Sequence, residues 1–208
     1  MTNIYHITHL NNLQAIVNSG GLIAKKRHQQ KGVICVDIAY EHIQDRRAVI
    51  PVTCAAGGCL HDYVPFYFAP RSPMLYTINK GYVKGYQGGQ NPILHLVVEA
   101  ETIKAADIPF CFTDGHAVMK YSLFFEDLSL LDEAIDWDVM KSQYWNDTNH
   151  NPDRKRRRQA EFLVYQFCPW ELIYEIGVIN ATIQKEVQTI LQSETYKPSI
   201  IINKNWYY

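Results

Sequence analysis

The spacing of apolar residues at the start of the chain predicts a strand followed by a helix. Residues 4–8 form a short run rich in β-branched and aromatic side chains. Four apolar positions then recur at helical spacing: Leu10, Leu13, Ile16 and Val17. Asn11 or Asn12 can cap this helix, and Gly20-Gly21 is typical of a helix end. A strand and a capped helix are therefore expected within the first 21 residues.

Further along the chain, apolar runs predict about six strands, with helices interspersed unevenly. The strongest run, 93–98, has residues 108–112 as its expected neighbour in the sheet. The other strand candidates are residues 64–68, 161–167, 173–179 and 198–203. Helical patterns occupy residues 38–49, 74–78 and 182–193, while residues 25–32 and 54–62 are expected to be loops.

Between these elements, residues 116–159 alternate short helical patterns with acidic and aromatic positions and contain no convincing strand. A stretch of this length without strong elements is typical of a functional surface region or lid. Neither an internal repeat nor a linker interrupts the sequence, so a single domain over 1–208 is expected. The uneven order of strands and helices predicts an α+β class with a mixed or antiparallel sheet.

Composition narrows the class of protein further. The chain has 208 residues, 47% of them hydrophobic and 20% charged, with a formal net charge of −1. These values exclude a disordered tail, a coiled coil and a low-complexity chain. No apolar run approaches the roughly 20 residues of a membrane span, and no signal peptide is evident. The five cysteines are scattered and odd in number. We therefore expect a cytoplasmic protein that does not associate with membranes.

Charge is unevenly distributed despite the small net value. Residues 154–158 are all cationic, and Arg46-Arg47 and residues 25–28 form smaller basic groups. Such clusters create local fields that suit a nucleic-acid partner, although by its residues alone a basic run is more typical of a solvated turn.

Motif chemistry taken alone leaves the mechanism open. Cys54, Cys59 and His61 offer three soft ligands, but no second ligand pair completes a zinc site, so buried or loop thiols are favoured and no metal is expected. The glycine-rich residues 85–90 lack a phosphate-binding pattern. Glu161 precedes an apolar run, where it suits an edge-strand carboxylate paired with Arg157 or Arg158, or a functional group.

Five ordered motifs carry a family resemblance that runs from residue 4 to the end of the chain. They are Tyr5-His6-Ile7-Thr8-His9-Leu10, Tyr63-Val64-Pro65-Phe66-Tyr67-Phe68 with Pro70-Arg71-Ser72-Pro73-Met74-Leu75, Tyr86-Gln87-Gly88-Gly89-Gln90 with Pro92-Ile93-Leu94-His95-Leu96, Phe112-Thr113-Asp114 with His116, and Gln159-Ala160-Glu161-Phe162-Leu163-Val164. Together they resemble the DarT family of toxin DNA ADP-ribosyltransferases, in particular the branch that modifies thymidine in single-stranded DNA.

The resemblance implies the ADP-ribosyltransferase (PARP-like) fold, a split mixed or antiparallel sheet with peripheral helices. It also implies that NAD is the ADP-ribose donor, as a co-substrate, and that thymine in single-stranded DNA is the acceptor. The family pairs the toxin with an antitoxin whose macrodomain removes ADP-ribose. Two alternatives remain: transfer to another acceptor, such as RNA, protein or guanine, or a non-enzymatic binder of single-stranded nucleic acid.

Residue roles follow from the same resemblance. Glu161 and Arg47 match the catalytic positions, with Arg46 as the neighbouring alternative to Arg47. The positions implied for NAD are His6, Ile7, Thr8, Ala15, Ile23 and Arg47. The positions implied for DNA are Arg71, Met74, His116, Arg154 and Arg157. Residues 116–160 correspond to the substrate-recognition loop, whose aromatic side chains and basic run would bind bases and phosphates.

Overall fold

A computed structural model of the chain describes residues 1–31, 36–38 and 41–208. The strands of this part are β1 (Asn3–His9), β2 (Gly21–Ile23), β3 (Tyr63–Tyr67), β4 (Ile93–Glu99), β5 (Phe110–His116), β6 (Phe124–Phe125), β7 (Ala160–Tyr165), β8 (Phe167–Pro169), β9 (Glu175–Val178) and β10 (Ser199–Ile202). Its α-helices are α1 (Leu13–Asn18), α2 (Lys25–Lys31), α3 (Glu41–Val49), α4 (Pro73–Asn79), α5 (Ala100–Ala105), α6 (Leu131–Ala134), α7 (Trp137–Lys141), α8 (Arg154–Arg157) and α9 (Ala181–Ile190). Short 3-10 turns span Leu10–Asn12, Leu60–Asp62, Leu128–Leu130, Trp170–Leu172 and Lys204–Trp206.

Eight of the strands form one sheet in the order β10-β9-β4-β1-β3-β7-β5-β6, and β2 pairs with β8 in a second sheet. Only β9 and β10 run parallel, joined by α9, while the other neighbouring strands are antiparallel. The predicted α+β class with a mixed sheet is therefore confirmed.

The large sheet divides between β1 and β3. These strands are in register at a single pair, Tyr5 and Tyr67, and diverge from there. Pro65 in β3 has no N–H to give to a ladder, and its carbonyl instead accepts a hydrogen bond from Nδ1 of His6 at 2.8 Å. A side chain thus replaces a backbone hydrogen bond where the two halves of the sheet separate. His6, Pro65 and Tyr67, at this separation, line the candidate site described below.

Buried apolar residues pack on both faces of the sheet around this opening. All but the last residue of β4 and of β7 are buried, so both faces of these central strands are covered. The largest cluster joins strand residues with Ile183 and Val187 of α9, and a second cluster packs Leu75 and Ile78 of α4 against the opposite face. The elements that carry the site therefore rest on a packed scaffold.

Several local predictions are wrong. Residues 25–31 form helix α2 rather than a loop, and β6 lies inside the region expected to lack strands. Strand β5 does not neighbour β4: it lies between β7 and β6, on the other side of the split. The described part of the chain has ten strands where about six were expected, and β2, β6 and β8, each of three residues or fewer, are too short for a pattern to mark them.

The first helix begins differently from the prediction. Neither Asn11 nor Asn12 caps it with a side chain: His9 accepts the Asn11 N–H through Nδ1 at 3.1 Å, ahead of a 3-10 turn. The helix end agrees with the prediction, with Gly20 at φ 74°.

None of the helices in residues 1–31, 36–38 and 41–208 combines the length and apolar character needed to cross a membrane.

Candidate active site

A cleft of about 770 Å³ opens at the split in the sheet. A volume of this size lies within the range of ligand pockets in proteins. Nine residues assigned by resemblance line it together, from segments far apart in the chain: His6, Ile7, Thr8, Ala15, Ile23, Arg47, Met74, His116 and Glu161. The fold therefore brings the implied NAD positions and the implied catalytic positions to one cavity.

Glu161 lies in β7, between β3 and β5, and is 3% exposed. Its Oε2 accepts a hydrogen bond from Nη1 of Arg47 at 2.7 Å, and its Oε1 accepts one from the backbone N–H of Ala117 at 3.1 Å. Its own N–H donates to Oγ1 of Thr113 at 3.1 Å. Glu161 is therefore not an edge-strand residue and does not pair with Arg157 or Arg158. Both carboxylate oxygens are held in fixed directions.

Arg47, rather than Arg46, points into the cleft. The two are neighbours on α3, so their side chains leave the helix about 100° apart. Arg47 is 7% exposed and contacts Glu161, whereas Nη2 of Arg46 donates to the carbonyl of Val118 at 2.8 Å. Nη2 of Arg47 is buried and has no hydrogen-bond partner among residues 1–31, 36–38 and 41–208. A buried donor of this kind is costly unless a ligand completes its bonding.

His6 is fixed in one tautomer by its bond to β3. A carbonyl can only accept, so Nδ1 of His6 carries the proton that it donates to Pro65. Burial lowers the pKa of His6, which keeps the ring neutral at pH 7. Nε2 is consequently an acceptor on a side chain that lines the cleft, suited to a hydroxyl group such as those of ribose.

His116 ends β5, and its neighbour along the chain, Ala117, donates to Glu161. Burial lowers the pKa of His116, opposed by the charge of Glu161 and supported by the charge of Arg47. The side chain is therefore a neutral imidazole in the cleft, able to accept or donate one hydrogen bond.

Other cleft residues were not assigned to this site from the sequence, where His61 was considered only as a metal ligand. Tyr67 is directly opposite Glu161 in the register of β3 and β7, and burial followed by the Glu161 charge raises its pKa. His61 faces Gln44 of α3 at 2.9 Å, and both line the cavity. Only Tyr67 lay within a family motif. The partners of His61 depend on how α3 packs, which no local pattern reveals.

Segment 36–38 forms part of the cleft wall because Asn12 holds it there. The side chain of Asn12 donates to the carbonyl of Val36 at 3.0 Å and accepts from the N–H of Val36 at 2.7 Å. Val36 and Ile38 line the cavity. The residue considered as a helix cap therefore ties a distant segment to the site.

The basic run 154–158 does not act as a uniform cationic patch. Arg156 bonds Asp114 at 3.0 Å and Asp153 at 2.7 Å, and Arg157 pairs with Asp136. Arg154 donates to Oγ of Ser142 at 3.0 Å, and Arg158 is buried against backbone carbonyls. Lys155 is the member of the run that lines the cleft. The assignment of Arg154 and Arg157 to DNA stays a prediction, with contacts inside the chain that compete with it.

Arg71 also lies outside the cleft. Its guanidinium carbon is 4.3 Å from the centre of the Tyr208 ring, and it lines a separate cavity.

The described part of the chain contains no group of three or more His, Cys, Asp or Glu residues arranged to hold a metal ion. Four cysteines in this part, Cys54, Cys59, Cys111 and Cys168, are free thiols, and Cys35 lies outside the described residues. Cys59 contacts Asp62 rather than a ligand set with Cys54 and His61.

Comparison with known proteins gives consistent matches over the whole chain. The family described as "ssDNA thymidine ADP-ribosyltransferase, DarT" matches residues 5–208. The DNA ADP-ribosyl transferase of Thermus aquaticus is 47% identical over 209 residues, which cover 100% of this chain and 89% of that protein. A 25% identical region in a DNA ADP-ribosyl transferase-DNA ADP-ribosyl glycohydrolase fusion protein of Thermosipho africanus covers 78% of this chain and 39% of that protein.

Two solved structures share the fold. Thermus sp. 2.9 DarT in complex with ADP-ribosylated ssDNA matches with a TM-score of 0.92 at 46% identity, covering 100% of this chain and 96% of that one. The same protein in complex with NAD+ matches with a TM-score of 0.88 at 42% identity, covering 100% and 98%.

Proposed function

Because the chain belongs to the DarT family of ssDNA thymidine ADP-ribosyltransferases, we propose that its cleft binds NAD and that Glu161 and Arg47 promote transfer of ADP-ribose to thymine. The observation that carries this proposal is the contact of these two side chains inside the cavity that the implied NAD positions also line. Relatives of this chain have been solved with NAD+ and with ADP-ribosylated ssDNA.

The reaction replaces one N-glycosidic bond with another. The bond between nicotinamide and the ribose C1′ of NAD breaks, and its electron pair leaves with nicotinamide, which becomes neutral. Positive charge develops at C1′, where a fixed carboxylate such as Glu161 stabilises it electrostatically. N3 of thymine then bonds to C1′ and releases its proton. A ring nitrogen hidden by base pairing is accessible only in a single strand.

Arg47 and His116 have different roles in this step. A guanidinium stays protonated, so Arg47 stabilises negative charge, both on Glu161 and on the thymine ring as N3 ionises. The unpartnered Nη2 of Arg47 is free to make that second contact. The neutral imidazole of His116 lies in the same cavity and is suited to accept a proton or to orient the base.

The fit of NAD rests on this chain's own atoms. His6 offers its Nε2 acceptor to a ribose hydroxyl, while Thr8 and Ile7 on the same strand provide backbone and side-chain contacts. Ala15 and Ile23 supply small and apolar surface for a ring. NAD provides the leaving group and the ADP-ribose, and these residues orient it toward Glu161.

For DNA, we propose that residues 116–160 act as the substrate-recognition region within a single domain, 1–208. Met74 and His116 would contact the target nucleotide in the cleft, and Arg71 would contact it from the neighbouring cavity that it lines. Arg154 and Arg157 are the weaker members of this set, since Asp136 and the loop near Tyr144 already engage them.

The biological role follows from the family. A DNA modification of this kind is toxic to the cell that carries it, and the fusion relative joins such a transferase to an ADP-ribosyl glycohydrolase. We propose that this chain is the toxin of a toxin–antitoxin pair whose antitoxin reverses the modification. The cytoplasm is its proposed place of action, because NAD and single-stranded DNA occur together there.

Mass spectrometry of defined oligonucleotides tests the proposal. Single-stranded oligonucleotides with one thymine, with one 3-methylthymine or with none are incubated with the protein, with and without NAD. A mass gain of one ADP-ribose only with NAD and unmodified thymine is expected. Gain on the 3-methylthymine or thymine-free strand would move the acceptor elsewhere, and no NAD consumption would favour a binding protein.

A further inference from the structure

A second cavity of about 610 Å³ lies next to the NAD cleft and has a strongly positive lining. Four of its lining residues are cationic: Arg71, Lys141, Arg158 and Lys204. The lining includes no Asp or Glu, and within residues 1–31, 36–38 and 41–208 no carboxylate is within salt-bridge distance of these four cations. Four cations without a salt-bridge partner in the described chain repel one another around this cavity, and an anion bound there would relieve that repulsion.

The inner wall of this cavity contains a buried arginine, Arg158, that hydrogen bonds hold in place. Arg158 is 4% exposed, and its Nη1 donates to the carbonyls of Val139 and Met140 at 2.6 Å each, while its Nη2 donates to the carbonyl of Arg71 at 2.9 Å. Its Nε has no hydrogen-bond partner in the part of the chain that the structure describes. Burial lowers the pKa of Arg158 to about 10, with the Arg71 charge acting in the same direction, so the group remains charged at pH 7. A buried cation held only by neutral carbonyls is stabilised by a nearby anion.

Arg71 faces the cavity with its donors unused. Its guanidinium stacks on the Tyr208 ring and has no hydrogen bond from its side chain to the described residues, and its Nε is buried and unpartnered. The phenol of Tyr208 fixes this arrangement by donating to the carbonyl of Arg71 at 3.0 Å and accepting from Nε1 of Trp145 at 2.9 Å.

The two cavities are neighbours, separated by two chain segments that each contribute residues to both. Arg71, in the loop after β3, lines the positive cavity, while Pro73 and Met74 at the start of α4 line the NAD cleft. In the loop after α7, Ser142 and Gln143 line the positive cavity while Trp145 and Asn146 line the cleft. A chain that crosses these segments with one group in the cleft would place the adjacent group in the positive cavity.

We propose that this cavity, formed by Arg71, Lys141, Arg158 and Lys204, binds a backbone phosphate of the DNA substrate next to the target thymidine. The proposal rests on the proposed function, because it takes single-stranded DNA as the substrate. Arg71 supplies a planar guanidinium fork, and the exposed Lys141 and Lys204 supply point charges at the rim. The site fixes the position of the strand, while contacts in the cleft select the base.

Single phosphate neutralisation tests this site. A labelled one-thymine oligonucleotide is prepared as a series, each member with one uncharged methylphosphonate at a different position. Binding is measured by fluorescence anisotropy without NAD, for the wild-type protein, for the double variant Lys141→Gln/Lys204→Gln and for Lys185→Gln, an exposed control on α9. NAD consumption without DNA reports that each variant retains its fold and cleft.

Neutralising one phosphate next to the thymine is expected to weaken wild-type and Lys185→Gln binding several-fold, and to have a clearly smaller effect in the double variant, which retains Arg71 and Arg158 but lacks the two rim charges. The slope of log affinity against log salt should also fall by about 0.7 for each phosphate that the double variant no longer binds. Effects at every position that are the same in all three proteins would overturn the proposal. Wild-type stabilisation by inorganic phosphate together with a flat methylphosphonate series would assign the cavity to free phosphate and equally overturn it.

Failure of the proposed function gives a different pattern. If the wild-type protein shows the position-specific binding effect but transfers no ADP-ribose to the unmodified oligonucleotide, the phosphate site stands and the enzymatic assignment fails.

Discussion

Glu161 and Arg47 are both nearly inaccessible to water, and each side chain is the other's salt-bridge partner. Moving such a pair out of water costs several kcal/mol per ion before attraction offsets it, and a buried ion pair is weak support for stability alone. The pair at 2.7 Å therefore makes most sense as preorganised electrostatics in a ligand cavity. The family resemblance implied both residues, with Glu161 inside one of its motifs and Arg47 outside them, but the orientations of Arg46 and Arg47 depend on the rotation of α3, which tertiary packing sets.

Substitution of Arg47 by Lys tests the geometry of the pair while retaining its charge. Lysine is a point charge and cannot bond Glu161 and a second acceptor as a planar fork does. We expect ADP-ribose transfer to fall by about 100-fold or more, the cost of losing one preorganised donor. The matched control is Arg46→Lys, whose side chain bonds Val118 outside the cleft. Equal losses in the two variants, measured by single-turnover transfer, would contradict the assigned role.

At the scale of elements, the predictions succeed where an apolar pattern exists. The buried runs of β4 and β7 and the amphipathic α9 were predicted from such patterns. Helix α2 was missed because all of its residues are polar and no apolar stripe marks it. It is anchored by charge instead, with Lys26 bonded to Asp62 at 3.0 Å and Lys25 to Asp37 at 2.7 Å.

Asn12, directly before α1, is hydrogen-bonded to segment 36–38, which forms part of the cleft wall. In Asn12→Ala both hydrogen bonds to the backbone of Val36 are removed, so segment 36–38 is left with its side-chain contacts, including the Lys25–Asp37 ion pair, to hold it at the site. We expect KM for NAD to rise several-fold in the absence of DNA, with a loss of about 1–2 kcal/mol in the free energy of unfolding. Gln14→Ala is the control, because it removes only an exposed bond to Asn18. An unchanged KM in Asn12→Ala would contradict the role of this side chain.

The basic run is expected to separate into structural and functional members. Arg156→Gln breaks its bonds to Asp114 and Asp153 and should lower the melting temperature by several degrees. Lys155→Gln removes a cation from the cleft and should weaken substrate binding several-fold with little change in melting temperature. Thermal melting and transfer assays on both variants check this. A melting temperature lowered equally in both would show that the run is structural throughout.

At the scale of the whole molecule, the class of fold was predicted but the order of strands was not. Burial patterns identify strands one at a time, whereas the neighbours of β5 depend on how the chain crosses the sheet. The split between β1 and β3 has a partly visible cause, since Pro65 cannot donate to a ladder. The sequence could not reveal that His6 would donate a hydrogen bond to the carbonyl of Pro65.

Buried neutral histidines make the stability of the molecule depend on pH. Burial lowers the pKa of His95 to about 4, and burial also lowers those of His6, His61 and His116. Above pH 6.5 these groups are neutral in both states and have no effect. Below it the unfolded chain takes up protons that the folded chain does not, so stability falls between pH 6.5 and about 4.

His95, whose pKa falls to about 4, contributes a slope of about 1.4 kcal/mol per pH unit across most of that window. His95→Gln should lower the slope of unfolding free energy against pH by about 1.4 kcal/mol per pH unit, the contribution of one proton. The fully buried His95 donates through Nε2 to the Pro70 carbonyl, and the amide of glutamine can make the same hydrogen bond. Urea unfolding at pH 7.0, 6.0 and 5.0 measures this slope. A variant slope equal to the wild-type slope would exclude His95 as a source.

The most direct test of the chemistry is single-turnover transfer by Glu161→Gln, which keeps the shape of the side chain and removes its charge. Mass spectrometry follows ADP-ribose on a one-thymine oligonucleotide, with melting temperature and NAD binding measured on the same sample. We predict a folded protein that binds NAD and transfers ADP-ribose roughly 100-fold more slowly, or more slowly still, because the charge at C1′ is no longer stabilised. Transfer within threefold of the wild-type rate would contradict the role of Glu161 and, with it, the mechanism proposed for the cleft.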